Sequence, residues 1–352
     1  MIVTELRIQQ LRIIKSIRLS PVSGLNFICG NNGAGKTSIL EALYLLGQGK
    51  SFRHSEAGPL IRNGETAATV VADLRIANGS TATLGIQRNK QQFTARHGGE
   101  NIQKRSTLMR LLPLQLITPQ SHELIERGPE LRRRYLDFGL FHVEPSYHQV
   151  LTSYHRALKQ RNAALRTNNL QLARSFNEQL CRSSDLIVKS RNRLLELVRA
   201  NLNNFLEVMG FPLGVDINLS QGWKNDLSLE EALCESEARD LAQGFTGVGI
   251  HRAQMKITNQ GAAASKVLSR GQQKILVYGL VLGLSEIIWD STKEPPLLLV
   301  DDLGAELDNN NTNKILAYLR SMKLQSFITT LESDSLDTYP LDKVFHVEQG
   351  AL

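Results

Sequence analysis

Cysteine is scarce in this chain. Only Cys29, Cys181 and Cys234 occur in 352 residues. They are odd in number, far apart and form no C-x-x-C pair, which excludes a disulfide framework and a zinc site and fits a reducing compartment. Long apolar runs are lacking too. The most apolar stretch, Ile275 to Ser285, is closed off by Lys274 and Glu286, and a bilayer span needs about 20 residues. The first eighteen residues carry Glu5, Arg7, Arg12, Lys15 and Arg18, so they lack the uninterrupted apolar core of a secretory signal. A cytoplasmic protein that is not inserted in a membrane is expected. Internal repeats and low-complexity tracts are absent as well.

Proline and glycine both vanish between Pro145 and Gly210. Without those breakers, a segment rich in Leu, Ala, Arg, Asn and Gln from about 146 to 208 reads as a long helical block, a hairpin or small bundle. Residues 151–210 hold ten Lys and Arg against four acids, most of the whole chain's formal charge of +7. Such a balance permits an anionic partner without requiring one. Apolar residues make up 41%, enough for a proper core, and the length suits roughly two to three domains.

Around this block the texture is strand and turn. Ile2-Val3-Thr4, Ser16 to Leu19 and Leu25 to Ile28 read as strands, Lys36 to Leu46 as a helix, and Thr69-Val70-Val71 and Thr81 to Leu84 as strands separated by Asn78-Gly79. A helix followed by an apolar strand is expected over 271–300. The fold class is α/β, with a phosphate-binding loop in a mixed-sheet head and an inserted, mainly helical second domain. The expected division is 1–118 for the first part of the head, 119–246 for the insert, and 247–352 for the rest of the head.

Three motifs carry chemistry. Gly30-Asn31-Asn32-Gly33-Ala34-Gly35-Lys36-Thr37 matches G-x-x-x-x-G-K-[ST], after an apolar strand and before a helix. Its glycines let backbone N–H groups wrap a phosphate chain, and the helix adds its positive end. Lys36 reaches the β- and γ-phosphates of ATP, and the Thr37 hydroxyl ligates Mg²⁺. Next, Leu297 to Val300 ends in Asp301-Asp302. Asp301 is the Mg²⁺-associated acid and Asp302 the candidate general base, although Asp302 also suits a simple turn cap. Finally, Leu268-Ser269-Arg270-Gly271-Gln272-Gln273 opens an apolar helix. This is either an ordinary serine N-cap or a second phosphate cradle, closing over the nucleotide of another copy.

Taken together the motifs resemble the ABC-type ATPase series of signature, Walker B and D-loop (Ala305-Glu306-Leu307-Asp308), in the variant of SMC-type and RecF-type proteins. The closer resemblance is to the RecF family of bacterial DNA replication and repair proteins. It is carried by Leu40 to Leu46, Lys50-Ser51-Phe52-Arg53, Leu112 to Pro119, Gly128-Pro129, Arg132 to Asp137 and His251-Arg252. The resemblance implies ATP-driven homodimerisation, weak DNA-stimulated ATP hydrolysis, and binding of double-stranded and gapped DNA. It also implies a cytoplasmic, nucleoid-associated place of action, and work with RecR and RecO to load RecA at single-strand gaps. It makes Ser269 and Gly271 γ-phosphate contacts in trans, Gln115 the Q-loop residue, Asp308 the D-loop acid, and Gln272 and Ser38 further nucleotide positions.

The chain departs from these patterns in places. No switch histidine follows the last sheet strand, Phe327 to Glu332, where Thr330 is the partial substitute. The base position is Asp302 in place of Glu, which suits slow hydrolysis. Ile250 stands where the family pattern G-P-H-R has proline, and Gly304-Ala305-Glu306 where A-S-E is common. A transport ATPase subunit shares the three motifs but would not explain the basic insert or the missing histidine. A small-molecule P-loop kinase leaves L-S-R-G-Q unexplained. A binding module with a dead site would show damage at Lys36 or Asp301. Two surfaces are candidates for DNA: Lys50, Arg53 and Arg132 to Arg134, or Arg156, Lys159 and Arg161 on the helical insert.

Overall fold

The computed structural model describes residues 1–352 apart from 55, 57, 77–78, 212–213, 305–306 and 332–341. Expectations that touch Asn78, Ala305, Glu306 and Glu332 therefore lie outside the described residues. The chain forms two compact units: Met1–Ser121 with Ile288–Leu352, and His122–Ile287.

The first unit is built on two sheets, with helices Lys36–Gln48, Arg105–Leu111 and Asn309–Met322. An antiparallel sheet has the order Ile14–Leu19, Ile2–Leu11, Ala67–Arg75, Thr81–Asn89, Phe93–His97, Glu100–Asn101. Ala67–Arg75 alternates buried and half-buried residues, as a strand covered on one face should. The second sheet is parallel, ordered Lys343–His346, Leu25–Cys29, Ser326–Thr330, Leu297–Val300, Leu114–Ile117. Its three central strands are buried at every residue, which explains their unbroken apolar runs. Helix Lys36–Gln48 serves both sheets. Its Ile39, Leu40, Leu43 and Leu46 share one core with Leu6, Ile8 and Val70 of the antiparallel sheet and with Ile28, Leu299 and Phe327 of the parallel one. The phosphate loop is thereby fixed at the carboxyl end of Leu25–Cys29, where open α/β sheets hold ligands.

The second unit is mainly helical: Pro129–Val143, Tyr147–Arg166, Leu170–Arg174, Asn177–Met209, Leu229–Gln243 and most of Arg270–Thr292. It also carries a small antiparallel sheet ordered Ala262–Ala263, Gln254–Asn259, Val215–Ser220. The segment expected to be a helical hairpin or small bundle is a hairpin, with a turn at Asn168 in the left-handed region (φ 53) and an Asn169 N-cap on Leu172 N–H at 3.0 Å. At 33 residues, the second arm is about 50 Å long.

The first unit boundary falls three residues beyond the expected one. The second lies between Ile287 and Ile288, not between 246 and 247. The reason is close packing inside the helical unit. A Cβ at Gly279 would stand 2.5 Å from Leu202 Cδ1, and one at Gly139 would stand 2.6 Å from Leu284 Cδ1. In addition, the Tyr135 hydroxyl donates to Leu280 O at 2.8 Å. The helix that begins at the signature motif is thus core to the second unit. By length and composition alone, helix Arg270–Thr292 is long and apolar enough to cross a bilayer. Within its most apolar window, however, 72% is buried in protein.

Candidate active site

At the phosphate loop the backbone needs glycine where it has it. Gly30 has φ 153, and a Cβ there would sit 2.3 Å from Val347 O; Gly33 and Gly35 also have positive φ, at 80 and 116. Ala34 N–H closes the loop on Asn31 O at 3.1 Å, and Gly350 N–H braces it from outside through Ala34 O at 2.8 Å. Lys36 folds back over the loop, its Nζ donating to Gly30 O at 2.5 Å and to Asn31 O at 3.0 Å. Among the described residues this ammonium is held by loop carbonyls alone, partners that a stronger, charged acceptor can replace.

Beside the loop, one connected set of hydrogen bonds joins three segments. Thr37 Oγ1 donates to Asp301 Oδ1 at 3.0 Å and Thr329 Oγ1 donates to the same oxygen at 2.8 Å. Asp302 N–H donates to Thr329 Oγ1 at 2.7 Å. Burial pushes the Asp301 carboxyl above its ordinary pKa, and the hydroxyls of Thr329 and Thr37 pull it back. Asp302 follows with φ 56, a left-handed conformation uncommon for a non-glycine residue. That turn brings Asp302 to the wall of a 390 Å³ cavity lined by residues 31–38 of the loop and helix start, with Asp301 and Asp302. Thr329, and not Thr330, is therefore the threonine that meets the acids.

The cavity has other walls that sequence reasoning missed in that role: Arg12, Ile13, Arg53, Pro119, Thr329 and Leu331. Arg12 sits in a positive-φ turn (φ 55) and makes a fork with fully buried Glu41, at 2.8 and 2.7 Å. Glu41 also accepts from Ser51 Oγ, which in turn accepts from the N–H groups of Arg53 and His54. A single buried carboxylate thus sets the positions of two arginine-bearing turns. Arg53, a candidate for the DNA surface from its sequence neighbours, lies at this cavity.

Not every expected residue joins the site. Gln115 pairs with Leu298 inside the parallel sheet, its buried Nε2 has no hydrogen-bond partner among the described residues, and it does not line the cavity; the segment that reaches the cavity from this strand does so at Pro119. Gly30 contributes a carbonyl to Lys36 but is not a cavity wall. Asp308 is exposed and caps helix Asn309–Met322, accepting from Asn311 N–H at 2.7 Å. Ser269 and Gln272 make a reciprocal cap at the exposed start of the signature helix, Gln272 N–H to Ser269 Oγ at 3.3 Å and Ser269 N–H to Gln272 Oε1 at 3.0 Å. Gly271 lies between them. These three belong to the second unit. Among the described residues no group of three or more His, Cys, Asp and Glu is arranged to hold a metal. Thr37 and Asp301 do suit Mg²⁺, which takes one or two protein oxygens and completes its shell with phosphate and water.

The arginines expected at a DNA surface are largely structural. Arg161 is 1% exposed and pairs with fully buried Asp240 at 2.9 Å. Arg132 Nη1 donates to the carbonyls of Leu124, Ile125 and Arg127, Arg133 to Ala253 O, and Arg134 pairs with Glu130. Arg156 and Lys159 remain exposed.

Residues 2–351 match the RecF/RecN/SMC N-terminal domain family. A DNA replication and repair protein RecF from Thioalkalivibrio sulfidiphilus is 38% identical over 365 residues, covering 100% of this chain and 99% of its own. One from Pseudomonas aeruginosa is 36% identical over 357 residues, covering 99% and 97%. The chain belongs to the RecF family. A solved structure of the recombination mediator protein RecF with ATP, in the RecFOR pathway, has a TM-score of 0.85 at 28% identity, covering 99% of this chain and 96% of that one. An Smc head domain from Pyrococcus furiosus shares the fold at 16% identity with a TM-score of 0.60. The expected α/β head of ABC/SMC type with a helical insert is thus borne out, and the transporter reading is set aside in favour of RecF. At the G-P-H-R departure, Ile250 is 1% exposed and opens the short turn Ile250–Arg252.

Proposed function

We propose that this RecF-family protein is a nucleotide-controlled DNA-binding switch of recombinational repair, with ATP bound in the cavity at Lys36. The observation that carries the reading is the chain of bonds Thr37–Asp301–Thr329–Asp302 at the mouth of the phosphate loop. Residues 31–37 offer backbone N–H groups and a helix N-terminus to the phosphates. Lys36 takes the β- and γ-phosphate oxygens. Thr37 and Asp301 would hold Mg²⁺, which supplies neutralisation of phosphate charge when bound. Asp302 orients the attacking water and accepts its proton. An aspartate at this position, with no histidine opposite, suits slow hydrolysis stimulated by DNA.

Ser269, Gly271 and Gln272 meet the γ-phosphate bound by a second copy, so ATP drives a homodimer and hydrolysis releases it. The exposure of Ser269 at a helix start supports this assignment. Asp308 stands at the D-loop, where it couples the copies. The dimer binds double-stranded and gapped DNA in the cytoplasm and acts with RecR and RecO to load RecA at gaps. The test is ATP turnover with and without gapped DNA. Turnover that rises with gapped DNA fits; turnover indifferent to DNA contradicts the switch.

A further inference from the structure

One motif remains without a role, the turn that carries His251-Arg252. It packs beside a short loop, Gly244–Gly247, at the end of helix Leu229–Gln243. The loop is firmly anchored. Gly244 has φ 70 and its N–H donates to Asp240 O at 2.8 Å. Thr246 is buried, with its N–H and Oγ1 both donating to Asn162 Oδ1, at 2.8 and 2.7 Å. Gly247 N–H donates to Asp240 Oδ1 at 2.9 Å. Between these anchors Phe245 is turned outward, 39% exposed.

Three exposed arginines lie along this loop, one of them against the ring. Arg252 lies over it, Cζ 5.5 Å from the centroid. The stem of Arg166 crosses Gly244, with Cγ 3.1 Å from where a Cβ would stand. Arg239 flanks Gly247, with Nη2 3.3 Å from the equivalent point. None of the three guanidinium groups takes a carboxylate or carbonyl partner among the described residues. The carboxylates close by are committed elsewhere: Asp240 to Arg161 and Glu237 to Arg174. The turn that holds Arg252 is itself pinned, since His251 is hydrogen-bonded on both ring nitrogens, to Tyr154 Oη at 2.7 Å and Thr246 O at 3.0 Å.

We propose that this loop is a contact for single-stranded DNA, with Phe245 stacking on an unpaired base and Arg166, Arg239 and Arg252 holding the adjoining phosphates. An exposed ring on a well-anchored loop, with uncompensated arginines at the loop's flanks, is the chemistry of a sequence-tolerant single-strand platform. In a duplex the base faces are covered by their neighbours, so the ring gains a partner only where pairing is interrupted. The inference rests on the DNA-binding reading above and deepens it, because it places discrimination of gapped from continuous duplex on Phe245.

The test uses the full chain with ATP and Mg²⁺, and two labelled DNAs of equal length, one continuous and one with a single-stranded gap. Phe245→Ala should weaken binding to gapped DNA by about tenfold, within the range set by loss of one stacked base, and leave the continuous duplex within about twofold. A 2-aminopurine in the gap should be quenched by wild type and not by the variant. Arg166→Glu with Arg239→Glu should flatten the salt dependence on gapped DNA by about 0.7 for each phosphate that is no longer neutralised. An unchanged ratio of gapped to continuous affinity in Phe245→Ala overturns the proposal. So does displacement of an acidic peptide, and not of gapped DNA, by the arginine substitutions. Wild type that binds neither DNA overturns the DNA-binding reading itself, a result distinct from wild type that binds both equally.

Discussion

Replacing Thr329 with Val should separate nucleotide binding from hydrolysis. Valine keeps the shape and the β-branched fit of a strand residue that is 1% exposed, so the change removes one hydroxyl and little else. That hydroxyl donates to Asp301 and accepts from Asp302 N–H. A hydrogen bond to a charged group contributes about 1.5–3 kcal/mol, and each 1.4 kcal/mol is about a factor of ten in rate. If the bond matters chiefly once Asp301 and Asp302 face the reacting phosphate, kcat should fall by about 10- to 100-fold. ATP affinity, which on the proposed reading rests on the loop and Lys36, should stay within about threefold. The pH profile gives a second readout. Burial already raises the Asp301 pKa and the Thr329 hydroxyl lowers it. Losing that donor raises it further, and Asp301 must be ionised to act, so the acid limb of activity should move to higher pH. Thr329→Ser should restore both rate and profile. Steady-state turnover across pH, with binding of a fluorescent ATP analogue, measures all of this. Wild-type kcat and an unmoved acid limb in Thr329→Val would refute the reasoning.

Lys36→Ala should abolish tight ATP binding, measured by equilibrium titration, because the loop carbonyls at Gly30 and Asn31 then present no cation to the phosphates. Arg161→Ala should destabilise the fold by about 3–5 kcal/mol by leaving buried Asp240 unpaired, read from urea unfolding. Affinity of the folded fraction for continuous duplex should not change, whereas the Phe245 loop loses an anchor, because Arg161 also donates to Thr246 Oγ1. Reversal of exposed Arg156 and Lys159 should do the opposite if that helix face carries DNA. Gly30→Ala should prevent nucleotide binding, since its Cβ would meet Val347 O at 2.3 Å; binding at wild-type strength would show that the loop can shift.

How much is legible in the sequence depends on how local each signal is. The phosphate loop, its strand and its helix are contiguous, so their spacing alone defines them. Asp301 and Asp302 are legible because an apolar run ends at them. The strand Ser326–Thr330 is buried at every residue and has no alternation, so nothing in the sequence distinguishes Thr329 from Thr330. Gln115, in a strand buried or half-buried throughout, is misplaced by sequence reasoning for the same reason. Buried arginines leave no pattern either. Arg161 and Arg191 read as surface charge because their partners Asp240 and Asp137 are 79 and 54 residues away. The unit boundary at Ile287 is hidden by an unbroken helix that runs through it.

On the proposed reading ATP completes its site only across two copies, and sedimentation velocity of the full chain tests this directly. With Mg²⁺ and ATP the mass should be that of a dimer, and with ADP or no nucleotide that of a monomer. Ser269→Arg should bind ATP and remain monomeric. The same mass in all three nucleotide states, or a dimer that survives Ser269→Arg, would contradict the account.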